Sequence, residues 1–263
     1  MLFNQIVYGP IHSRRLGISL GINLMPTDAK LCTFNCIYCE CGWNQPVKHP
    51  TVPSVEAYEQ ALQQKLESLQ QEKIVPDVIT FSGNGEPTLH PDFLAIMRVT
   101  KTLRDRYCPD AKISVLSNST QLGRTDVMEG LRLADNRILK LDSAVDATMR
   151  LIDQPTNHEL TVAQITAWLE QWQGNFILQT CFLRGTLLAT ESPDHMPHAV
   201  DNTTPVELDA WYRIVEHLQP KQVMIYVIDR ATPCSTLAKI PRDEMEAIAA
   251  PLRARGISVS LSA

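Results

Sequence analysis

Three cysteines lie within eight residues of one another, in the run CTFNCIYC at positions 32–39, directly after an apolar segment typical of a β-strand. The run supplies three thiolates, from Cys32, Cys36 and Cys39, rather than four. A [4Fe–4S] cluster has four irons, each of which normally takes one cysteine thiolate. A three-cysteine loop therefore leaves one iron open to bind a molecule that reacts.

Two simpler interpretations of the same run are a zinc loop and three core cysteines. A structural zinc site uses four closed ligands, usually supplied as two separated pairs, and the sequence contains no second pair. The spacing Cys-x3-Cys-x2-Cys resembles that of the radical S-adenosylmethionine (radical SAM) superfamily. The resemblance implies that the three cysteines bind a [4Fe–4S] cluster and that S-adenosyl-L-methionine (SAM) chelates its open iron.

The chain alternates apolar runs with amphipathic segments, a pattern typical of repeated βα units and a parallel sheet. It predicts an α/β fold, and the resemblance implies a partial (β/α)6 barrel of parallel strands. Strands are predicted over residues 18–25, 77–82, 112–117, 137–142, 176–183, 222–228 and 257–261. Helices are predicted over residues 55–73, 92–107, 125–134, 147–152, 162–172, 205–217 and 242–255.

We expect one domain over residues 1–263, with a lead-in at 1–17, a barrel core at 18–230, and a C-terminal helix and short strand at 231–263. The polar, proline-containing stretch 186–204 is too long for a plain connector and is typical of a lid or substrate loop. In parallel α/β folds, functional residues collect at the carboxyl ends of the strands. The motifs below all fall at such ends.

The second motif is GNGEP at the end of the predicted strand 77–82. Glycines allow backbone angles closed to other residues and let the main chain approach a ligand. The motif resembles the Gly-Gly-Glu motif of radical SAM enzymes, which implies that Gly83, Asn84, Gly85 and Glu86 bind the methionyl part of SAM. Taken alone, the run would indicate only a turn.

Small polar side chains end the next strand, where Ser117 and Asn118 suit ribose hydroxyls or a carboxylate. The alternative is that they only shape the turn. On the following strand, Lys140 and Asp142 share a face by alternation, and we expect that face to point inward. Asp142 is then a candidate SAM or substrate contact, with an internal ion pair as the alternative.

Two further SAM contacts are expected from their positions. Gln179 lies on the fifth predicted strand and can hydrogen-bond the methionyl group or the substrate. Tyr38 precedes the last cysteine of the run, where the resemblance implies an aromatic residue beside the adenine. His90 is interpreted as structural before catalytic.

Cys181 and Arg230 are the candidate catalytic residues. Cys181 shares a strand face with Gln179, although a cysteine there is also typical of a small buried hydrophobe. Arg230 ends the sixth strand and can clamp a carboxylate or phosphate. Pairing with a neighbouring acid is the alternative for Arg230.

Net charge limits the partners. The formal charge is −5, and no Lys/Arg cluster stands out beyond Arg14 and Arg15. Nucleic acid is therefore not favoured as a partner, although a local basic surface at the mouth of the barrel can hold one.

The sequence shows neither a leader-like segment nor a run long enough to cross a membrane. With seven cysteines, an odd number that fits a metal or redox function, we expect a cytoplasmic protein.

The runs YGPIHSRRLG and GINLMP, together with the extended GNGEPTLHP motif, resemble a branch of the superfamily that contains wyosine synthetase-like Fe–S oxidoreductases, over about residues 8–233. True wyosine synthases modify tRNA and carry a second cluster on an N-terminal cysteine set. No cysteine precedes Cys32, so we do not expect that second cluster here.

The function expected is reductive cleavage of SAM to a 5′-deoxyadenosyl radical, which abstracts a hydrogen atom from a small molecule, a peptide or a nucleoside. The electron donor implied is a low-potential flavodoxin or ferredoxin. The competing hypothesis, from another class, is a non-catalytic Fe–S electron carrier or a zinc-stabilised binding module.

Overall fold

The structure is a computed structural model, and it describes residues 2–13, 17–45 and 50–263. The basic pair Arg14–Arg15 therefore lies outside the described residues.

Strands and helices alternate along the described part of the chain. The strands are β1 (Val7–Ser13), β2 (Gly17–Asn23), β3 (Val78–Ser82), β4 (Lys112–Ser117), β5 (Asn136–Lys140), β6 (Ile177–Leu187), β7 (His198–Asp201), β8 (Gln222–Val227), β9 (Ala238–Lys239) and β10 (Val259–Ser262). The α-helices are α1 (Val55–Gln71), α2 (Phe93–Tyr107), α3 (Thr125–Arg132), α4 (Asp146–Ile152), α5 (Val162–Glu170), α6 (Pro205–Leu218) and α7 (Arg242–Ala254). A 3₁₀ turn spans Pro87–Leu89.

The chain divides into two compact units. The first consists of Met1–Cys32 and Asn44–Ile138, and the second of Thr33–Trp43 and Leu139–Ala263. Strand β5 carries the chain from the first unit into the second. The assignment of residues 1–263 to a single domain stays a prediction.

In the first unit, β1 is antiparallel to β2, whereas β2, β3 and β4 run parallel. Phe81 on β3 is fully buried, and its ring lies 6.3 Å from those of Tyr58 on α1 and Phe93 on α2. Helix α1 begins after its N-cap Ser54, whose hydroxyl accepts the amide of Ala57 at 3.2 Å. Burial of these rings fixes α1 and α2 against the sheet.

In the second unit, β6, β8 and β10 run parallel, with Cys181 opposite Tyr226. Beyond that parallel core, β6 continues and pairs antiparallel with β7 and β9. The ring of Trp211 on α6 packs edge-on against Phe182 at 5.2 Å. Its indole N–H donates to the Thr180 hydroxyl at 3.0 Å, so this buried aromatic keeps a partner for its polar atom.

The strand and helix predictions hold for most elements, and β4 has the predicted bounds. Three differences have physical reasons. The lead-in contains β1, whose Tyr8 ring lies over Gly21 so closely that a Cβ there would come within 2.1 Å of it. β2 ends at Asn23, because the Asn23 side chain turns to accept the amides of Met25 and Asn84.

The third difference concerns the stretch 186–204. β6 runs on to Leu187, and β7 falls within the stretch and pairs with it. The region is therefore partly a β-ribbon rather than an irregular loop. None of the helices in the described part of the chain is long and apolar enough to cross a lipid bilayer.

Replacing Phe81 by alanine should lower the free energy of unfolding by about 3–5 kcal/mol, because it empties a fully buried ring site. Val75, which is 62% exposed, provides the control, and Val75→Ala should change stability by less than about 0.5 kcal/mol. Urea unfolding followed by circular dichroism measures both values. Equal stability of the two variants would contradict this account of the core.

Candidate functional site

The segment before Cys32 is held by the glycine-rich turn within the first unit. The amide of Leu31 donates to the carbonyl of Asn84 at 2.9 Å, and the amide of Glu86 donates to the carbonyl of Leu31 at 3.1 Å. Gly85, which lies between the two, has a φ of +148°, and a Cβ there would come within 1.8 Å of the Leu31 carbonyl oxygen. Only glycine therefore fits at position 85.

Asn84 fastens this turn to the N-terminal segment. Its side-chain amide donates to the carbonyls of Phe3 and Pro26 at 2.8 Å each, and its side-chain oxygen accepts the amide of Phe3 at 2.8 Å. The residue is fully buried. This side chain is committed to holding the turn, and a contact from it to SAM stays a prediction that the geometry does not favour.

The Glu86 carboxylate connects the turn to the end of β4. It accepts the amide of Thr88 at 3.0 Å, the Thr88 hydroxyl at 2.5 Å and the amide of Asn118 at 2.6 Å. Burial raises the pKa of Glu86, and the hydrogen bonds from Asn118 and Thr88 oppose that rise. Glu86 thus closes the 3₁₀ turn and fixes the Asn118 backbone.

The Asn118 side chain makes hydrogen bonds both within its own turn and to Cys32, a predicted cluster ligand. Its side-chain oxygen accepts the amide and the hydroxyl of Thr120 at 3.1 Å and 2.8 Å. Its side-chain nitrogen donates to Cys32 Sγ at 3.5 Å. Ser117 has a local contact, accepting the amide of Ser119 at 3.1 Å.

In the second unit, the loop that carries Cys36 and Cys39 is held by backbone bonds. The amide of Cys39 donates to the carbonyl of Cys36 at 3.1 Å, and the amide of Ile37 donates to the carbonyl of Ile152 at 3.0 Å. The amide of Cys234 in turn donates to the carbonyl of Ile37 at 3.2 Å. The C-terminal end of α4 is therefore one support of this loop.

A buried ion cluster lies next to Cys36. Lys140 Nζ is 3.0 Å from Asp142 Oδ2 and 3.0 Å from Cys36 Sγ, and it donates to Asp153. The two carboxylates are 1% and 2% exposed, and Lys140 is 8% exposed. Asp142 therefore forms the internal ion pair that was the alternative to a SAM contact, and the SAM contact stays a prediction.

One cation cannot balance two buried carboxylates, so one of them tends to keep a proton. Asp142 also accepts the Tyr38 hydroxyl and, at 2.9 Å, the amide of Cys181. Burial, with the nearby Asp142 charge, raises the pKa of Asp153 to about 7, and Lys140 opposes the rise. The surroundings of Asp153 therefore favour its protonated form.

Tyr38 faces this cluster through its hydroxyl. Its ring lies 5.0 Å from Lys140 Nζ, at a cation–π distance, and packs edge-on against Tyr226 at 6.4 Å. Burial and the Asp142 charge raise the pKa of Tyr38. The Tyr38 hydroxyl donates its hydrogen bond to Asp142. The adenine contact implied for Tyr38 therefore stays a prediction, and it concerns the ring and the backbone of this residue.

The remaining candidates differ in what surrounds them. Gln179 is 8% exposed, and its backbone carbonyl accepts the amide of Leu141 at 3.0 Å. Cys181 is fully buried in an apolar cluster with Ile37 and Leu183, and burial raises the pKa of its thiol. Arg230 forms an exposed ion pair with Glu40 at 2.6 Å. The structure thus matches the simpler alternatives for Cys181 and Arg230.

His90 has the structural position expected of it. One ring nitrogen lies 2.8 Å from the Pro53 carbonyl, and the other accepts the amide of Asp92 at 3.0 Å. Burial lowers the pKa of His90.

Asp153 and Asn202 are residues that the sequence did not single out. The Asn202 side chain is 2% exposed, donates to the carbonyls of Asp142 and Cys181 at 2.8 Å each, and accepts the amide of Leu183 at 2.9 Å. No local sequence signal marks either residue, because their partners are distant along the chain.

Within the described residues, no three His, Cys, Asp or Glu side chains are gathered as ligands of a metal ion. The thiolates of a cubane cluster bind separate irons and need not meet at one point. The donor set fits such a cluster chemically, since the Cys32 and Cys36 sulfurs each accept a hydrogen bond from a nitrogen.

Residues 29–202, more than half of the chain, match the sequence model of the family described as "Radical SAM superfamily". The chain belongs to the radical SAM superfamily of enzymes, as the cysteine run predicted.

Curated relatives are similar to this chain over about two thirds of its length or more. A UPF0026 protein of Synechocystis is 31% identical over 199 residues, which are 71% of this chain and 68% of the relative. A UPF0026 protein of Helicobacter pylori is 32% identical over 184 residues, which are 68% of this chain and 57% of the relative.

A protein of Brachyspira hyodysenteriae named GTPase Obg is 29% identical over 244 residues, which are 91% of this chain but 32% of that protein. The chain thus spans about a third of the length of this relative. The GTPase name describes the longer protein, and the present sequence has no Gly-Lys dipeptide of a P-loop.

Solved structures show the same fold. A radical SAM methyltransferase from Sphaerobacter thermophilus has a TM-score of 0.63 at 13% identity, covering 92% of this chain and 66% of that one. SuiB of Streptococcus suis bound to S-adenosylmethionine has a TM-score of 0.62 at 10% identity, covering 89% and 49%. TYW1 with a lysine–pyruvate adduct has a TM-score of 0.58 at 16% identity, covering 90% and 73%. The predicted α/β, partial-barrel fold class is therefore confirmed.

The raised pKa of Asp153 predicts a pH dependence of stability. Its carboxyl loses its proton near its ordinary value of 3.8 in the unfolded chain and near 7 in the folded one. Between those values the folded state binds more protons, so this group's contribution to stability falls as pH rises. Asp153→Asn should remove this fall in the free energy of unfolding, which is on the order of 1.4 kcal/mol for each pH unit between the two pKa values.

Urea unfolding of the cluster-free protein between about pH 4.5 and about pH 7.5 measures the effect. Asp105→Asn serves as the control, because hydrogen bonds from Lys101 and Arg104 lower the pKa of the Asp105 carboxyl and its titration lies below that range. The prediction fails if wild type and Asp153→Asn show the same slope.

Proposed function

We propose that Cys32, Cys36 and Cys39 bind a [4Fe–4S] cluster and that the enzyme cleaves SAM reductively. When bound, the cluster supplies one electron that breaks the sulfur–C5′ bond of SAM, giving methionine and a 5′-deoxyadenosyl radical that takes a hydrogen atom from the substrate. The observation that carries the proposal is the three-thiolate run inside the segment that matches the superfamily.

The chain's own contribution is to hold the thiolates and to supply donors to their sulfurs. Asn118 donates to Cys32, whereas Lys140 donates to Cys36. Hydrogen bonds of this kind stabilise thiolate over thiol, and the thiolate is the form that binds iron. The glycine turn and Glu86 fix the backbone that precedes Cys32.

For SAM, the supporting features are the two glycines of the Gly83–Glu86 turn, which are only partly buried, and the Gln179 amide. A side-chain amide can both donate and accept hydrogen bonds, so Gln179 could pair with the ammonium or the carboxylate of the methionyl group. Ser117 and Asn118 remain the proposed contacts for the ribose side.

The electron donor, a flavodoxin or ferredoxin, is part of this proposal, as is a cytoplasmic location. None of the seven cysteines forms a disulfide, which suits a reducing compartment.

Substrate classes are proposed only in outline: a small molecule, a peptide or a nucleoside. The neighbours with this fold include SuiB bound to a precursor peptide and the TYW1 structure with its adduct. At such low identity they share the fold, and their ligands do not carry over to this chain. The net charge of −5 weighs against tRNA as the preferred partner.

Anaerobic reconstitution with iron and sulfide, followed by dithionite and SAM, tests the proposal. Wild type should bind about four irons per chain, the number in one cubane, and should form 5′-deoxyadenosine. Cys36→Ala should lose both the cluster absorbance and the product, because one of three ligands is removed. Chromatography quantifies 5′-deoxyadenosine.

Cys41→Ala is the matched control, since Cys41 follows the same loop but lies outside the three-cysteine spacing. This variant should keep both the cluster and the product. Loss of the cluster in Cys41→Ala would contradict the three-ligand assignment. An intact cluster that yields no 5′-deoxyadenosine would instead favour the non-catalytic electron carrier, and a single bound zinc would favour the binding module.

A further inference from the structure

Lys140 is the last residue of β5, and its ammonium group is buried beside a predicted cluster ligand. An ammonium has three N–H donors. Here they face three acceptors, a carboxylate oxygen of Asp142, one of Asp153, and Cys36 Sγ at 3.0 Å. The two carboxylates are enough to pair with the ammonium as an internal ion pair. The third acceptor, the Cys36 sulfur, is a predicted ligand of the cluster.

The surroundings of Lys140 leave it little contact with water, since the residue is 8% exposed. The rings of Phe34 and Tyr38 each lie 5.0 Å from Nζ, and Phe34 is 1% exposed. In such an environment charges act over a lower effective dielectric constant than in water. Solvent therefore screens the positive charge of Lys140 less than at the surface, while the Asp142 carboxylate offsets part of that charge.

We propose that Lys140 raises the reduction potential of the cluster by donating a hydrogen bond and placing its positive charge at the Cys36 sulfur. This inference rests on the proposed function, since it requires the cluster. Lys140 is a positioning residue in this proposal, because it acts through Cys36 and does not contact the reacting atoms.

The direction follows from electrostatics. One-electron reduction by a low-potential donor adds a negative charge, and a nearby cation stabilises the reduced form more than the oxidised form. Hydrogen bonds to the sulfurs and the net charge of the site are among the factors that set such potentials. A charge-assisted bond is also stronger than a neutral one.

The test is a redox titration of the reconstituted protein without SAM, followed by electron paramagnetic resonance of the reduced cluster. In Lys140→Met, the ratio of reduced to oxidised cluster at a given ambient potential should fall about tenfold, which corresponds to 59 mV for a one-electron couple. Removing the lysine alone leaves two buried carboxylates. The double variant Lys140→Met/Asp153→Asn removes one of them, and it should show the same fall.

Asp153→Asn alone is the matched control, because it alters the same pocket but keeps the lysine and its bond to Cys36. Its potential should stay at the wild-type value or lie above it. An equal fall in Asp153→Asn, or a wild-type potential in both lysine variants, would overturn the inference. If wild type assembles a cluster but the lysine variants have the same reduction potential, the inference fails and the proposed function stands. If wild type assembles no cluster, both the inference and the proposed function fail.

Discussion

The second unit depends on one buried ammonium group. Lys140 lies at the end of β5, Asp142 follows two residues later, and Asp153 directly follows α4. Burying a charge is tolerated only where partners surround it, so the strand and the helix must meet where the cation lies. Cys36 joins the same point through its sulfur. The position of the cysteine loop within this unit is therefore set by charge balance as well as by backbone bonds.

The first unit fixes its own part of the loop by a different means. There the backbone of Leu31 pairs with the glycine turn, and Glu86 and Asn84 saturate that turn with buried hydrogen bonds. No charged pair is involved. Since Gly85 has no room for a side chain, the approach of the two backbones depends on steric fit. Two physically different supports thus hold the segments that carry the cysteines.

Local patterns in the sequence were sufficient for features whose causes are local. Alternation placed Lys140 and Asp142 on one face, and the cysteine spacing identified the superfamily, because both depend on residues close together in the chain. The partners of Lys140 could not be predicted in the same way, since Cys36 lies 104 positions away and Asp153 follows a separate helix. β1 and β7 were missed for a related reason. Their pairing depends on the Tyr8–Gly21 approach and on the extension of β6, which no short window of sequence reveals.

The hydrogen bonds to Cys32 and Cys36 differ in the charge of their donors. Cys32 accepts a neutral amide at 3.5 Å, whereas Cys36 accepts an ammonium at 3.0 Å. A charged donor at the shorter distance withdraws more electron density from its acceptor than a neutral one at the longer distance. Of the two donors, the Lys140 ammonium therefore stabilises its thiolate more strongly than the Asn118 amide does.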